Sequence, residues 1–157
     1  MKRIILALIL LAGFIAIPAM AQDFTSPKPQ FVSFNFGVLG GYSLDSEDIV
    51  GANSFGVNIA VIENMEVGFE RLNTVDANLF RLAYYFGNQF GAAIGIGNVG
   101  TGVGNAGMSL GLFGNFFQAR AANGLAYSLG MRADYLARTN AFDNGSIYIG
   151  LRAGFGL

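Results

Sequence analysis

Residues 146–157, Ser146-Ile147-Tyr148-Ile149-Gly150-Leu151-Arg152-Ala153-Gly154-Phe155-Gly156-Leu157 (SIYIGLRAGFGL), place an apolar side chain at every odd-numbered position. Tyr, Gly and Arg fill the places between them. Successive side chains of a β-strand point to opposite faces, so the stretch reads as one strand with a greasy row and a small, polar row. Chain ends that finish in water usually fray. A strand that stays this apolar to its last residue is therefore expected to be held by pairing, in surroundings that are not water.

The same period of two recurs in seven segments upstream, from Phe31 onward, without sustained helical spacing. The apolar row runs Phe34, Phe36, Val38 and Tyr42, then Phe55, Val57, Ile59 and Val61, then Met65, Val67 and Phe69, then Phe80, Leu82, Tyr84 and Phe86. It goes on through Phe90, Ile94 and Ile96, Met108, Leu110, Leu112 and Phe116, and Leu125, Tyr127, Leu129, Met131 and Tyr135. Arg71 is the one charge on that row. The opposite row is rich in Gly and carries Glu66, Glu70, Arg81, Arg132, Asp134 and Arg152, three acids and three bases.

Which row points inward decides the class. In a soluble sandwich or barrel the bulky row fills the core, and the Gly-rich row is left as a poor strand surface in water. In a membrane barrel the bulky row meets lipid and the polar row faces the lumen. Gly suits a lumen that eight strands leave only wide enough for side chains, and six inward charges are tolerable because they can pair. The second arrangement is the better one. The expected fold is all-β: an eight-stranded antiparallel up-and-down transmembrane β-barrel over residues 31–157. A secreted soluble β-protein is the alternative left open.

Segment lengths of about 8–12 residues are close to the 9–11 that a tilted strand needs to cross a bilayer. The connections are expected to alternate: long at 43–53, 100–107 and 136–145, with 73–76 a short exception, against tight turns at 62–64 and 87–89 and a moderate link at 118–124. Long loops on one side are the asymmetry of outer-membrane barrels. Aromatic girdles are expected at both interfaces: Phe86, Phe90, Phe116 and Phe155 on the short-turn side, and Tyr42, Phe55, Phe80 and Tyr135 on the long-loop side.

The other end of the chain gives an address. Lys2 and Arg3 precede an uninterrupted apolar run at 4–17, Pro18 breaks it, and Ala19-Met20-Ala21 forms an A-x-A site before Gln22. This is the pattern of a secretory signal peptide over 1–21, with an N-terminal anchor as its rival. Residues 22–30 then form a short periplasmic segment. From Gln22 onward seven Lys and Arg face ten Asp and Glu, a net charge of −3. No basic face for nucleic acid is expected. With no Cys there are no disulfides. Charged residues are 12% of the chain, about half the usual share, too few to coat a water-facing surface.

Apolar residues alternating back from the terminus over Ile147–Leu157 resemble the carboxy-terminal assembly signal of Gram-negative-type outer-membrane proteins, although the last residue is Leu where that signal usually has Phe. Across 31–157 the chain resembles the small eight-stranded barrels related to OmpX, the OmpA membrane domain and OmpW. The resemblance implies a place in the cell outer membrane, contact with its lipid, and insertion by the barrel-assembly machinery through strand 147–157. It also implies surface interaction, with an extracellular or host ligand, or a membrane-structural role; a narrow pore or an OmpW-like route for small molecules is the alternative.

Enzymes built on such barrels use a histidine, and this chain has none. The usual base for activating a serine or water is missing, and without His or Cys a transition-metal site is not expected. No catalytic residue, cofactor or metal is assigned. Gly95-Ile96-Gly97-Asn98-Val99-Gly100 matches G-x-G-x-x-G, but no helix follows and no acid stands between Asp76 and Asp134, so it is chance in a Gly-rich chain. The inward ions are the candidate site. In an eight-strand ring the third strand faces the seventh, so Glu66 and Glu70 are expected to reach toward Arg132, with Arg81 beside Glu70. The result is a charge-paired plug, static or gated. Asp45, Glu47 and Asp48 crowd the first loop as a candidate interaction site, or a solvated acidic loop short of a full Ca²⁺ ligand set. Arg71 is placed to meet lipid phosphates or simply to snorkel.

Overall fold

The computed structural model describes residues 31–86, 89–100, 105–139 and 144–157. The expected signal peptide (1–21) and the segment 22–30 lie outside them, as do Gly87 and Asn88 of one turn and parts of two loops, 101–104 and 140–143.

Eight strands follow in order: β1 (Val32–Ser43), β2 (Ile49–Ile62), β3 (Met65–Leu72), β4 (Ala77–Phe86), β5 (Phe90–Asn98), β6 (Ala106–Arg120), β7 (Ala126–Arg138) and β8 (Ser146–Gly156). Each pairs antiparallel with its neighbours in sequence, and β8 pairs with β1, so the sheet closes as an up-and-down barrel. The closing seam runs from Ser33↔Gly156 to Ser43↔Ser146. It is tied at one end by Leu157 N–H to Val32 O, 3.0 Å, and at the other by Leu44 N–H to Gly145 O, 2.9 Å. The terminal segment that alternates so regularly is thus the strand that removes the last edge.

The two rows separate as expected. Val38, Ile96 and Leu151 on the apolar row are 70%, 65% and 61% exposed, whereas Glu70, Arg132 and Asp134 on the other row are 4%, 5% and 4% exposed. The large hydrocarbon side chains point away from the barrel axis.

Two irregularities interrupt the alternation, both at the short-turn end. Pairing of β6 with β7 shifts between Asn115 and Phe117, and pairing of β2 with β3 shifts between Ala60 and Ile62. An extra residue in one strand is a β-bulge. It lets Phe116 and Phe117 both point outward, and Val61 and Ile62 likewise.

The connections differ from the expected pattern. β2 begins at Ile49, and Tyr42↔Ile49 through Val38↔Asn53 are ladder pairs, so the first loop shrinks from 43–53 to 44–48. The other connections are 73–76, 99–105 and 139–145 at that end, against 63–64, 87–89 and 121–125 at the opposite end. The asymmetry survives but is smaller than the sequence suggests, because Gly51-Ala52-Asn53 carries no strand signal of its own and is held by Val38, Leu39 and Gly40 across the ladder. Phe55 consequently lies well inside β2, opposite Phe36, rather than in a girdle at the loop end. At the short-turn end Phe34 stacks on Phe155 at 5.0 Å, and Phe86 pairs with Phe90.

One layer departs from a purely small and polar lumen. At the loop end Leu39, Ala52, Leu72, Ala77, Leu79, Leu136 and Tyr148 point inward and form a buried apolar cluster, with Val50, Val75 and Val99 packed against it. Leu72, Leu79 and Tyr148 are at most 1% exposed.

Candidate functional site

The chemistry-bearing side chains stand on inward positions of β3, β4, β7 and β8, where strand parity places them in the lumen. Four form a closed ring of charge. The Arg81 guanidinium bonds Glu70 through Nη1 and Asp134 Oδ1 through Nη2 at 3.2 Å. The Arg132 guanidinium bonds the same two acids: Glu70 Oε1 through Nη1, Glu70 Oε2 through Nη2 at 3.1 Å, and Asp134 Oδ2 through Nε at 2.5 Å. Arg132 Nη1 also donates to Ser54 Oγ, 3.3 Å. Each base thus meets both acids, and the quartet is neutral. Charges taken out of water are costly unless paired in good geometry with their hydrogen-bonding capacity used, and this arrangement meets that condition.

A glycine makes room for it. A Cβ on Gly111, which pairs with Asp134 across the β6–β7 ladder, would run into Asp134 Oδ1 and Arg81 Nη2. The inward glycine here leaves space for two ionised side chains in a narrow barrel.

Toward the short-turn end lies a second polar layer. Arg152 donates to Asn35 Oδ1 through Nε at 2.9 Å and Nη2 at 2.7 Å, and its guanidinium carbon sits 4.6 Å from the centroid of the Phe113 ring. Glu66 accepts a hydrogen bond from Tyr85 O–H at 3.0 Å, and Arg152 exerts a Coulombic attraction on it. Between the layers is a cavity of about 40 Å³, lined among others by Asn58, Glu66, Phe113 and Arg152. That is room for a few waters at most, since one needs about 10–15 Å³ of such space. Ser109 Oγ and Asn115 Oδ1 are buried without a hydrogen-bond partner.

All six expected lumen ions therefore face inward, but they divide into a quartet and a pair. Glu70 reaches Arg132 across the barrel and Arg81 beside it, as the ring geometry suggests. Glu66 does not reach Arg132; it stands one layer lower with Tyr85. Sequence reasoning placed Asn35 on the inward row but not as the partner of Arg152, and it missed Ser54, Tyr85, Phe113 and the apolar cluster. Their parity was the available signal, because Leu39, Tyr85, Phe113 and Tyr148 all fall on inward positions.

Outside the lumen, Asp45, Glu47 and Asp48 sit exposed in the connection 44–48, where Ser43 N–H donates to Asp48 O at 2.9 Å and Glu47 adopts φ 58°. Among the described residues no three acidic, His or Cys side chains converge as they would around a metal ion. Arg71 points outward near the loop end and lies 3.8 Å from Asp76, both about half exposed. Gly95–Asn98 belongs to β5, so the glycine motif lies on a strand rather than at the start of a helix.

Chemically the interior offers paired ions. Glu70 and Asp134 are bound by arginines, Glu66 is held by Tyr85, and the buried Ser109 hydroxyl bonds to no base. Comparison of the chain with protein-family models, curated proteins and solved structures yields no match.

Proposed function

We propose that this chain is a non-enzymatic, integral outer-membrane β-barrel protein that acts at the cell surface through its loop end, or by supporting the membrane. The observation that carries the reading is the belt of outward apolar side chains on a closed ring of strands. Soluble monomers rarely expose contiguous apolar patches beyond a few hundred Å², and this belt runs around the whole circumference, from Val38 and Phe55 through Phe80, Ile96 and Leu110 to Leu129 and Leu151. In lipid it is the ordinary outer face of a barrel. Closure of β8 onto β1 fits the same surroundings, since no backbone edge is left where water is absent.

On this reading the partners are outer-membrane lipid, the assembly machinery acting on strand 147–157, and an extracellular or host ligand at the loop end. Arg71 and Asp76 sit where lipid head groups begin. The pore alternative is disfavoured by the lumen itself, because a charge quartet and an apolar cluster lie in series across it. Cell fractionation with an unheated gel tests the proposal. The protein is expected in the outer-membrane fraction, with a folded band that migrates differently before heating, and purified protein is expected to give no steady conductance in planar bilayers. Recovery as a soluble periplasmic protein without detergent overturns the membrane reading, and steady conductance overturns the closed lumen.

A further inference from the structure

Above the apolar cluster the barrel opens into a pocket of about 380 Å³. Ligand pockets usually fall between about 300 and 1,000 Å³, with apolar walls and a few placed polar groups. The floor is Leu136 and Tyr148, members of the buried cluster, and the sides include Val75 of the β3–β4 turn and Val99 after β5. The rim carries one cation, Arg138 at the end of β7, and one carboxylate, Asp45 in the β1–β2 connection, both exposed.

Arg138 is positioned rather than loose. Its Nε donates to Val99 O at 3.3 Å, which turns a side chain of many rotamers into a fixed fork. Gly100, at φ +88°, lets the guanidinium approach: a Cβ there would lie 2.7 Å from Arg138 Nη2. Among the described residues no carboxylate pairs with Arg138, and its Nη groups face the pocket rim. A guanidinium fork matches a carboxylate bidentately.

We infer that the loop end holds a dead-end binding pocket for a small amphipathic carboxylate, its hydrocarbon body on Val75, Val99, Leu136 and Tyr148 and its carboxylate on Arg138. Leu39, Leu72 and Leu79 close the floor from below, so the molecule binds and returns by the way it came; nothing is passed inward. The inference gives the surface-interaction reading a ligand class, and it rests on that reading only for the side from which the ligand arrives. If fractionation finds the protein in water, the same titration can be run there, so the two failures are distinguishable.

The test is a titration of the folded barrel in lipid nanodiscs with octanoate, followed by methyl NMR shifts. Saturable shifts are expected at Val75, Val99 and Leu136. Arg138→Gln, an exposed change that leaves the walls intact, is expected to weaken binding about tenfold, as loss of a charge-assisted contact should, and 1-octanol should bind about as weakly as octanoate does to that variant. Val75→Trp, which fills the pocket, should abolish the shifts while the unheated gel band stays. Shifts confined to belt methyls such as Ile94 and Leu110, which signal partition into the bilayer, or an Arg138→Gln protein that binds octanoate as tightly as before, overturn the proposal.

Discussion

Arg132 binds three side chains at once, Glu70, Asp134 and Ser54, and all three are buried. Removing one partner of a buried charge network leaves the others uncompensated and costs about 3–5 kcal/mol. Arg132→Ala is therefore expected to lower folding stability by about 3–5 kcal/mol, read from urea unfolding of the barrel in lipid vesicles. Arg152→Ala makes a useful contrast, because it strands a neutral amide, an aromatic ring and one carboxylate, Glu66, that Tyr85 still holds, rather than two carboxylates. Its cost should be smaller, about 1.5–3 kcal/mol. Equal losses at the two positions would mean that the quartet is no tighter a unit than the layer below it. The common face of these residues was legible in the sequence, since parity puts them on one row, and the balance of their charges argued for that row facing the lumen. Who bonds whom was not: the Arg81–Asp134 contact joins β4 to β7 across the lumen, and a one-dimensional pattern carries no distance between strands that are not neighbours.

Among the elements, β6 shows how the chain tolerates a break in its own period. Before the bulge its inward residues are Ser109, Gly111, Phe113 and Asn115; beyond it Gln118 and Arg120 share the register of Ser128 and Ala126. Phe116 is the unpaired extra residue, so deleting it joins Asn115 to Phe117 in a regular ladder and keeps every other side chain on its face. That deletion should retain the folded, heat-shifted band and cost no more than one phenylalanine side chain, about 1.5–3 kcal/mol. Deleting Leu112 instead turns one side of the strand inside out, exchanging Ser109 and Gly111 for Met108 and Leu110 in the lumen, and the folded band should vanish. Loss of the band in both deletions would show that the bulge itself is required. The sequence pattern located β6 over Met108–Phe116 but gave 118–120 to the following connection and no warning of the bulge, because Phe116-Phe117 reads as strand in either phase. The start of β2 was hidden for the opposite reason. Asp45, Ser46, Asp48 and Gly51 all favour turns, and only the ladder to β1 makes 49–53 a strand.

For the whole molecule the decisive quantity is what the outer face touches. Ile94 lies at the middle of β5 between Leu82 and Leu110 and is 52% exposed, while Val61, beside the β2–β3 turn, is 56% exposed. Neither side chain fills the lumen, so a change at either site reports on the surroundings of the barrel rather than on its packing. In water an apolar surface residue replaced by Arg shifts stability by no more than about 0.5 kcal/mol, wherever it lies along the barrel. In a bilayer the cost depends on depth, about 2–4 kcal/mol at the midplane and about 0–1 near an interface. Ile94→Arg is thus expected to destabilise the vesicle-inserted barrel by about 2–4 kcal/mol and Val61→Arg by about 0–1, both measured by urea unfolding. The difference between the two positions is the informative number, because general effects of introducing an arginine cancel in it. A gap near zero would mean that the belt meets one uniform solvent, and the inverted barrel, with hydrocarbon outside and ions within, would then lack the lipid that explains it.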